Sequence, residues 1–229
     1  LEIKLNMKRY FLLTLLALVF GCSERGTNVE IEIIRIIDEP IIPPLLVEEI
    51  GENVQGPSLI KTPAWLKNPL GKYYLYFADH KGDRIKLAYS DNLIGPWTIH
   101  LGGTLNLEDS YFLREKPDIP ADFNLEVLES RDAHPDVINH IPKKIDDLTI
   151  PHIASPDAHV DDSNKIVILY YHGLDEFGLQ KTRVATSEDG INFKARKKIV
   201  GWPYFRKFKY QNNDYALSMP GIIYKNTGD

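Results

Sequence analysis

Cysteine is nearly absent from this sequence of 229 residues, since Cys22 is the only one. A single thiol cannot form a disulfide within the chain, and no set of His, Cys and Asp residues has a spacing specific to a metal. The residues therefore predict no metal site. Positive charge is also scarce: 27 Lys and Arg stand against 32 Asp and Glu, a net charge of -5. Without a basic field, no nucleic-acid partner is predicted.

Long hydrophobic runs are missing except near the N-terminus, where residues 11–20 are almost all apolar and follow two basic residues. This run is too short to span a bilayer comfortably and is typical of an export signal. The segment ends at Gly21 and Cys22, which resembles the lipobox of bacterial lipoproteins, where cleavage leaves a lipidated cysteine. The alternative is an ordinary secretory signal with an incidental cysteine. Residues 1–6 precede the expected start at Met7 and are interpreted as upstream residues.

The lipobox resemblance implies an exported protein with a membrane partner. We expect it to be anchored through a lipid on Cys22 to the bacterial outer membrane or cell surface, with the periplasm as the alternative location. The predicted organisation is a signal over 1–22, a tether and first strand over 23–50, and a main domain over 51–229. The first strand is predicted over 31–37, a run rich in β-branched residues.

Glycine and proline are plentiful, at 15 each, which suits many short strands joined by turns. Hydrophobic residues make up 43% of the chain, enough for a sizeable core. A unit of four short strands is predicted from residue 56 onward, and parts of the same unit recur twice. The predicted strands are 56–60, 72–78, 85–90 and 97–100, then 155–160, 165–171 and 182–187, then 202–208 and 214–218.

Self-similar units of four short strands are typical of a β-propeller. The first two units are separated by residues 102–151, a segment rich in Asp, Glu and Pro. We expect this segment to be an insertion with little regular structure, and loops of such length are usually functional or disordered. Within this segment, the polar stretch 131–136 is either a solvated loop or a loop that borders a substrate-binding cleft.

Three stretches carry a resemblance to a known group of proteins: the aromatic strand 73–77 and the turn-containing runs 88–97 and 185–193. They resemble the blades of five-bladed propeller glycoside hydrolases, the arabinanase, β-xylosidase, invertase and levansucrase group, and most of all glycoside hydrolase family 43. The resemblance begins at residue 56 and excludes the insertion. It implies an all-β, five-bladed β-propeller of which about two and a half blades are present, so the sequence is expected to be an N-terminal fragment.

Enzymes of this group carry carboxylates on the inner strands of their first three blades, because an oxocarbenium-like transition state needs an acid and a base or nucleophile. By resemblance, Asp157 is the carboxylate that tunes a pKa and orients the substrate. The positions expected for the two principal carboxylates hold Gly56 and Gly201 instead. Either the alignment is shifted, or the catalytic set has moved to other residues, including a His, or the protein binds sugar without cleaving it.

Histidine suits proton transfer near neutral pH, so we predict a catalytic set of Asp157, His159 and His80. The first two are two residues apart in a strand and therefore point to the same face. Any of these groups is also consistent with a structural or exposed role. Five further residues are predicted to bind substrate: Gln55, Asp79, His172, Arg206 and Trp202.

Among these, Arg206 is suited to hold a hydroxyl or carboxylate of a sugar. Trp202 is suited to stack on a sugar ring, as is Trp65, whereas Trp97 is expected to pack in the core. No cofactor is expected, and the resemblance allows a structural calcium ion or a histidine-anchored ion in the central channel.

The function predicted from the sequence is hydrolysis of glycosidic bonds in an extracellular poly- or oligosaccharide by carboxylate and histidine acid–base chemistry. One alternative is a catalytically silent carbohydrate-binding lipoprotein of the same fold. Another is a propeller scaffold that binds a protein and no sugar.

Overall fold

The structure is a computed structural model that describes residues 32–124 and 145–227. The chain divides into two compact units, Leu1–Ile36 and Ile37–Asp229. The described part of the first unit, 32–36, has no regular secondary structure. The strand predicted over 31–37 is therefore wrong over its described part. A β-branched run forms a strand only where a partner strand takes up its backbone hydrogen bonds, and Ile33 is 91% exposed.

The second unit consists of antiparallel sheets, which confirms the predicted all-β class. Helical structure in its described residues is limited to a five-residue helix, α1 (Ile145–Thr149), and two short 3-10 helices, Glu48–Ile50 and Leu107–Asp109. The first sheet has the order β1 (Val54–Lys61), β2 (Tyr73–Asp79), β3 (Arg84–Ser90) and β4 (Thr98–Asn106). The second has the order β5 (Ile153–Asp161), β6 (Ile166–Glu176), β7 (Leu179–Ser187) and β8 (Lys194–Gly201). The third is formed by β9 (Arg206–Tyr210), β10 (Asn213–Ser218) and β11 (Ile222–Lys225).

The predicted repeat of four strands is present in the first two sheets, although β8 was not among the predicted strands and β6 and β7 extend beyond the predicted 165–171 and 182–187. Two further differences concern β9 and β4. The third copy was expected to begin with a strand over 202–208, whereas β9 begins at Arg206. Pro203 and the left-handed backbone of Tyr204 (φ 57°) precede it, and neither fits a regular strand.

The outer strand of the first sheet is also longer than the predicted 97–100, because pairing resumes after a bulge. Leu87 pairs with His100 and Ile85 pairs with Leu105, so the bulged strand carries extra residues. Gly102 and Gly103 lie in this bulge with φ of 86° and 70°, a backbone that glycine adopts without a steric penalty. Regular structure is therefore present inside the predicted insertion over 102–151, where β4 continues to Asn106 and the 3-10 helix Leu107–Asp109 and α1 follow.

The first strands of the three sheets lie side by side. The Ser58 hydroxyl of β1 accepts a hydrogen bond from the Ala158 amide of β5 at 2.8 Å. The Asp157 carboxylate of β5 accepts one from the Lys207 amide of β9 at 2.8 Å. Polar side chains on these strands are therefore held close to the neighbouring sheet.

Aromatic side chains fill the space between the first two sheets. Tyr76 is fully buried, packs edge-on against Phe193 and donates its hydroxyl to the Gly190 carbonyl at 2.7 Å. A buried tyrosine needs such an acceptor, and the contact joins β2 to the turn after β7. Burial of each large apolar side chain contributes roughly 1.5–3 kcal/mol. The same cluster contains Tyr74, Leu87, Phe112, Ile153, Leu169 and Tyr171.

Candidate functional site

Both inner strands of the four-stranded sheets contain a bulge at the same place. In β1 the register shifts between Gln55 and Ser58, and in β5 it shifts between Ala154 and Asp157. Such bulges re-aim side chains and are common beside active sites. The Ser155 backbone in the second bulge is left-handed (φ 49°) although serine carries a Cβ, a conformation that costs about 1–2 kcal/mol.

Asp157 and His159 form a hydrogen-bonded pair after this bulge. The His159 Nε2–H donates to Asp157 Oδ2 at 2.7 Å, in agreement with their two-residue spacing. The Lys207 amide donates to the same oxygen. The other oxygen, Oδ1, lies 3.6 Å from Nη1 of Arg206 and accepts no hydrogen bond among the described residues. His159 also lines a groove of about 510 Å³ together with Lys207 and Asp214.

Gln55 and His80 form a second pair at the corresponding end of the first sheet. The Gln55 side-chain amide donates to His80 Nδ1 at 2.6 Å, and both residues are half-buried. The preceding residue, Asp79, has a different environment: its Oδ1 accepts hydrogen bonds from the amides of Asn53 and His80. Asp79 therefore anchors the segment that enters β1.

His172 lies within β6, four residues before the strand ends at Glu176, and is the most deeply buried of the predicted site residues. It is 2% exposed, and its Nδ1 has no hydrogen-bond partner among the described residues. Its ring lies 4.6 Å from the Tyr204 ring and 5.9 Å from the His152 ring, measured between centroids. Burial lowers the pKa of His172 to about 3, so this imidazole is neutral at ordinary pH.

Three histidines therefore meet where the inner strands begin, and we call His80, His152 and His172 the imidazole cluster. His152 is buried and donates its Nδ1–H to the Ile150 carbonyl at 2.8 Å. Burial lowers the pKa of His152, and the charges of His80 and Lys81 lower it further. The charges of His152, His80 and Arg206 act in the same direction on the pKa of His172.

Arg206 joins this cluster to the Asp157 pair. Its Nη1 donates to the Pro156 carbonyl at 2.5 Å and lies near Asp157 Oδ1. Its side chain is 39% exposed. The structure thus places Gln55, Asp157 and Arg206 on neighbouring inner strands, while His80 follows β2 and His172 lies within β6, the strands that pair with β1 and β5.

The three tryptophans have different environments. Trp202 is 38% exposed, and the Lys181 ammonium lies 3.3 Å from the centroid of its ring. Its carbonyl accepts a hydrogen bond from Thr182, which pairs with His172 across β6 and β7. Trp65 donates to Asp162, and Trp97 packs against a core cluster of the first sheet. Trp202 is therefore the tryptophan nearest to the imidazole cluster along the sheets.

Several members of this arrangement were not predicted from the sequence. His152 stands before β5 between apolar residues and has no motif of its own, whereas Tyr204 was assigned to a strand. Lys207 contributes its backbone amide, which no side-chain pattern reveals. His152 lies three residues before Ser155, and the bulge there is a feature of the structure that no sequence signal indicated.

Some predictions fall outside the described residues, namely Cys22, the signal over 1–22 and the loop 131–136. In the described ranges, no group of three or more His, Cys, Asp or Glu side chains is arranged to hold a metal ion. Within those ranges there is also no helix of the length and apolarity needed to cross a membrane.

Comparison with known proteins gives a distant relative and coarse structural similarities. No family model matches the chain. The chain is 33% identical over 184 residues to "Uncharacterized protein R118" of Acanthamoeba polyphaga mimivirus, an alignment that covers 76% of this chain and 44% of that protein. The chain therefore spans less than half the length of this curated relative.

The similar solved structures include glycoside hydrolases. CoXyl43, a family 43 β-xylosidase/α-arabinofuranosidase from a compost microbial metagenome, has 16% identity and a TM-score of 0.45, covering 78% of this chain and 44% of the enzyme. The exo-β-1,3-galactanase 1,3Gal43A of Clostridium thermocellum has 15% identity and a TM-score of 0.44, covering 76% of this chain and 34% of the enzyme.

Proposed function

We propose that this protein is a glycoside hydrolase-like protein that cleaves glycosidic bonds of an extracellular oligosaccharide or polysaccharide. The observation that carries the proposal is the setting of Asp157 on an inner strand. Its carboxylate is fixed by His159 and by the Lys207 amide, while one oxygen is left for a ligand. The three sheets are proposed to be blades of a β-propeller, and five blades are what the sequence resemblance implies.

Asp157 is assigned to orienting the substrate and stabilising positive charge. Two donors hold Oδ2, and the guanidinium of Arg206 lies near Oδ1. An ionised carboxylate stabilises an oxocarbenium-like transition state electrostatically and holds sugar hydroxyls as a hydrogen-bond acceptor.

Proton transfer is assigned to His80 and His159, because both are partly exposed imidazoles with a fixed hydrogen-bond partner. His172 does not serve as the acid, since an imidazole with a pKa of about 3 carries no extra proton at neutral pH. Its role is substrate binding as a neutral hydrogen-bonding group.

The test is incubation of the full chain with a panel of oligosaccharides, with released sugar measured by chromatography. Asp157→Asn and His159→Ala are expected to lower the release rate at least about 100-fold, the scale of acid–base and electrostatic contributions. The matched controls are Asp118→Asn, at an exposed carboxylate, and His100→Ala on β4, and both should retain the rate. Equal rates in all four variants would contradict the proposal.

The second candidate function is carbohydrate binding without cleavage. It is favoured by Gly56 and Gly201, which occupy the positions where the sequence resemblance places the principal carboxylates. Glycoside hydrolysis ordinarily uses two carboxyl groups. In the panel, binding measured by calorimetry without sugar release would support this function, and neither binding nor release would indicate a protein-binding scaffold.

We also propose that the protein is exported and anchored through a lipid on Cys22. The support is the basic and apolar sequence before the only cysteine in the chain. Metabolic labelling with a radioactive fatty acid in a bacterial host should label the wild-type chain and not Cys22→Ala. Label retained in the variant would contradict the anchor.

A further inference from the structure

The Arg206 guanidinium has hydrogen-bonding capacity that the described residues do not use. An arginine carries five N–H donors in a planar fork. In the described ranges, only Nη1 makes a contact, with the Pro156 carbonyl at 2.5 Å and with Asp157 Oδ1 at 3.6 Å. Because the side chain is 39% exposed, the remaining donors are accessible to a ligand.

The charge of Arg206 is only weakly compensated. Its nearest carboxylate is Asp157, and that group already accepts hydrogen bonds from His159 and the Lys207 amide on its other oxygen. A distance of 3.6 Å is too long for a hydrogen bond, so Arg206 does not form the two-pronged ion pair that its geometry favours.

A second cation lies at the same end of the sheets. Lys181 pairs with Gly173, the residue after His172, and its ammonium covers the Trp202 ring. Among the described residues no carboxylate lies within ion-pair distance of Lys181. This end of the second sheet therefore presents positive charge beside an exposed aromatic ring.

Two further polar groups here, His172 and Tyr204, are uncharged. His172 is buried with an unpartnered Nδ1, and Tyr204 packs on its ring. Neutral imidazole and phenol groups bind hydroxyls, and a guanidinium binds a carboxylate through two parallel hydrogen bonds. A ligand that offers hydroxyls and one carboxylate matches this set of groups.

We propose that this end of the sheets binds an acidic sugar, a uronate residue of an oligosaccharide, with Arg206 as the group that recognises its carboxylate. This inference rests on the proposed carbohydrate site and adds its substrate class. Lys181 contributes to the attraction of the anionic chain, and His172 and Tyr204 bind hydroxyls.

The experiment compares each acidic oligosaccharide with the neutral oligosaccharide obtained by reducing its carboxyl groups. Oligosaccharides of galacturonate, glucuronate and mannuronate are titrated into the full chain by calorimetry, each beside its carboxyl-reduced form with the same linkage. At least one acidic ligand should bind about tenfold or more tightly than its reduced form, which corresponds to about 1.4 kcal/mol. Arg206→Gln should abolish this preference, and Arg206→Lys should retain part of it as a point charge.

Lys209→Gln is the matched control, because it removes an exposed cation from the same strand and should leave the preference intact. Circular dichroism spectra establish that each variant is folded, and the wild-type comparison by itself already tests the proposal. Equal or tighter binding of the reduced ligands would overturn the uronate inference while the carbohydrate site stands. Failure to bind any acidic or neutral sugar would overturn both.

Discussion

The first and second sheets share a scaffold and differ in the groups that it carries. Both have a bulge in the inner strand, and both end their third strand in a serine that accepts hydrogen bonds from the following turn, at Ser90 and Ser187. The inner corner of the first sheet holds an amide and a half-buried imidazole, whereas that of the second holds a carboxylate, an imidazole and the buried His172.

The difference shows that the repeated sequence pattern determines the backbone structure of each sheet. The functional side chains are set separately at individual positions. A turn or a bulge needs particular residues to form, so it recurs wherever the sequence recurs. A side chain that projects from the bulge is not needed for the strand to form. Both sheets therefore carry an imidazole at this corner, and the second sheet adds a carboxylate and a buried histidine.

The largest expected effect concerns the buried imidazole of the second sheet. The ordinary pKa of 6.5 falls to about 3 in the folded protein, so below pH 6.5 the unfolded chain binds a proton that the folded chain does not. As the pH is lowered from about 6.5 to about 3, the free energy of unfolding should then fall by about 1.4 kcal/mol per pH unit. His172→Phe should remove this slope, as measured by urea unfolding at several pH values.

Part of the acid sensitivity should remain in His172→Phe, because burial also lowers the pKa of His152. The control is Thr182→Val, which removes the hydrogen bond to the Trp202 carbonyl without removing a titratable group. It should lower stability equally at each pH. A His172→Phe variant with the wild-type slope would show that the imidazole is not held neutral by burial.

The next effect concerns the close approach of the two inner strands. A Cβ at Gly56 would lie 2.7 Å from the Ser155 Cα, and its φ is +63°. Gly56→Ala should therefore destabilise the fold by about 3 kcal/mol, the sum of steric overlap and backbone strain. Gly102→Ala is the control, since it has a φ of +86° with nothing within 4 Å, and it should cost only about 1 kcal/mol. If urea unfolding gave Gly56→Ala and Gly102→Ala a similar loss of unfolding free energy, the two inner strands would not be in contact at Gly56.

The smallest effect concerns the turn that closes the third strand of the second sheet. Burial opposes ionisation of Asp189, but hydrogen bonds from Asn192, Ile191 and Ser187 outweigh it and lower its pKa to about 2. The stability from this carboxylate is present above its ordinary pKa of 3.8 and is lost as pH falls toward 2.

Asp189→Asn should therefore lower the free energy of unfolding at pH 7, where the charged carboxylate contributes, and should weaken its pH dependence between about pH 4 and 2. Asp118→Asn, at an exposed carboxylate, is the control that should leave this dependence unchanged. An unaltered acid profile in Asp189→Asn would show that the turn does not depend on the charge.

The fold was largely predictable because strands and turns leave local patterns. Alternation over 85–90 and the turn residues after it predicted β3 and its closure, and the second sheet followed from the recurrence. The strand predicted over 31–37 was wrong over its described part, because strand propensity does not indicate whether a partner strand is present.

The candidate site was predictable only in part. Asp157 and His159 share a face by strand periodicity alone, so their pairing followed from the sequence. The contacts of His172 with His152 and Tyr204 join residues from three separate elements, and the bulges that orient them depend on tertiary packing. No local pattern contains that information, which is why two of these three residues were missed.

The central claim is that a carbohydrate binds where the inner strands begin. The most direct test is NMR of the histidine rings during titration with the panel of oligosaccharides, with signals assigned by single His→Gln variants. A bound sugar is expected to shift the ring signals of His80 and His172 and to leave that of His100, on β4, unchanged. A sugar that binds without shifting His80 and His172 would contradict it.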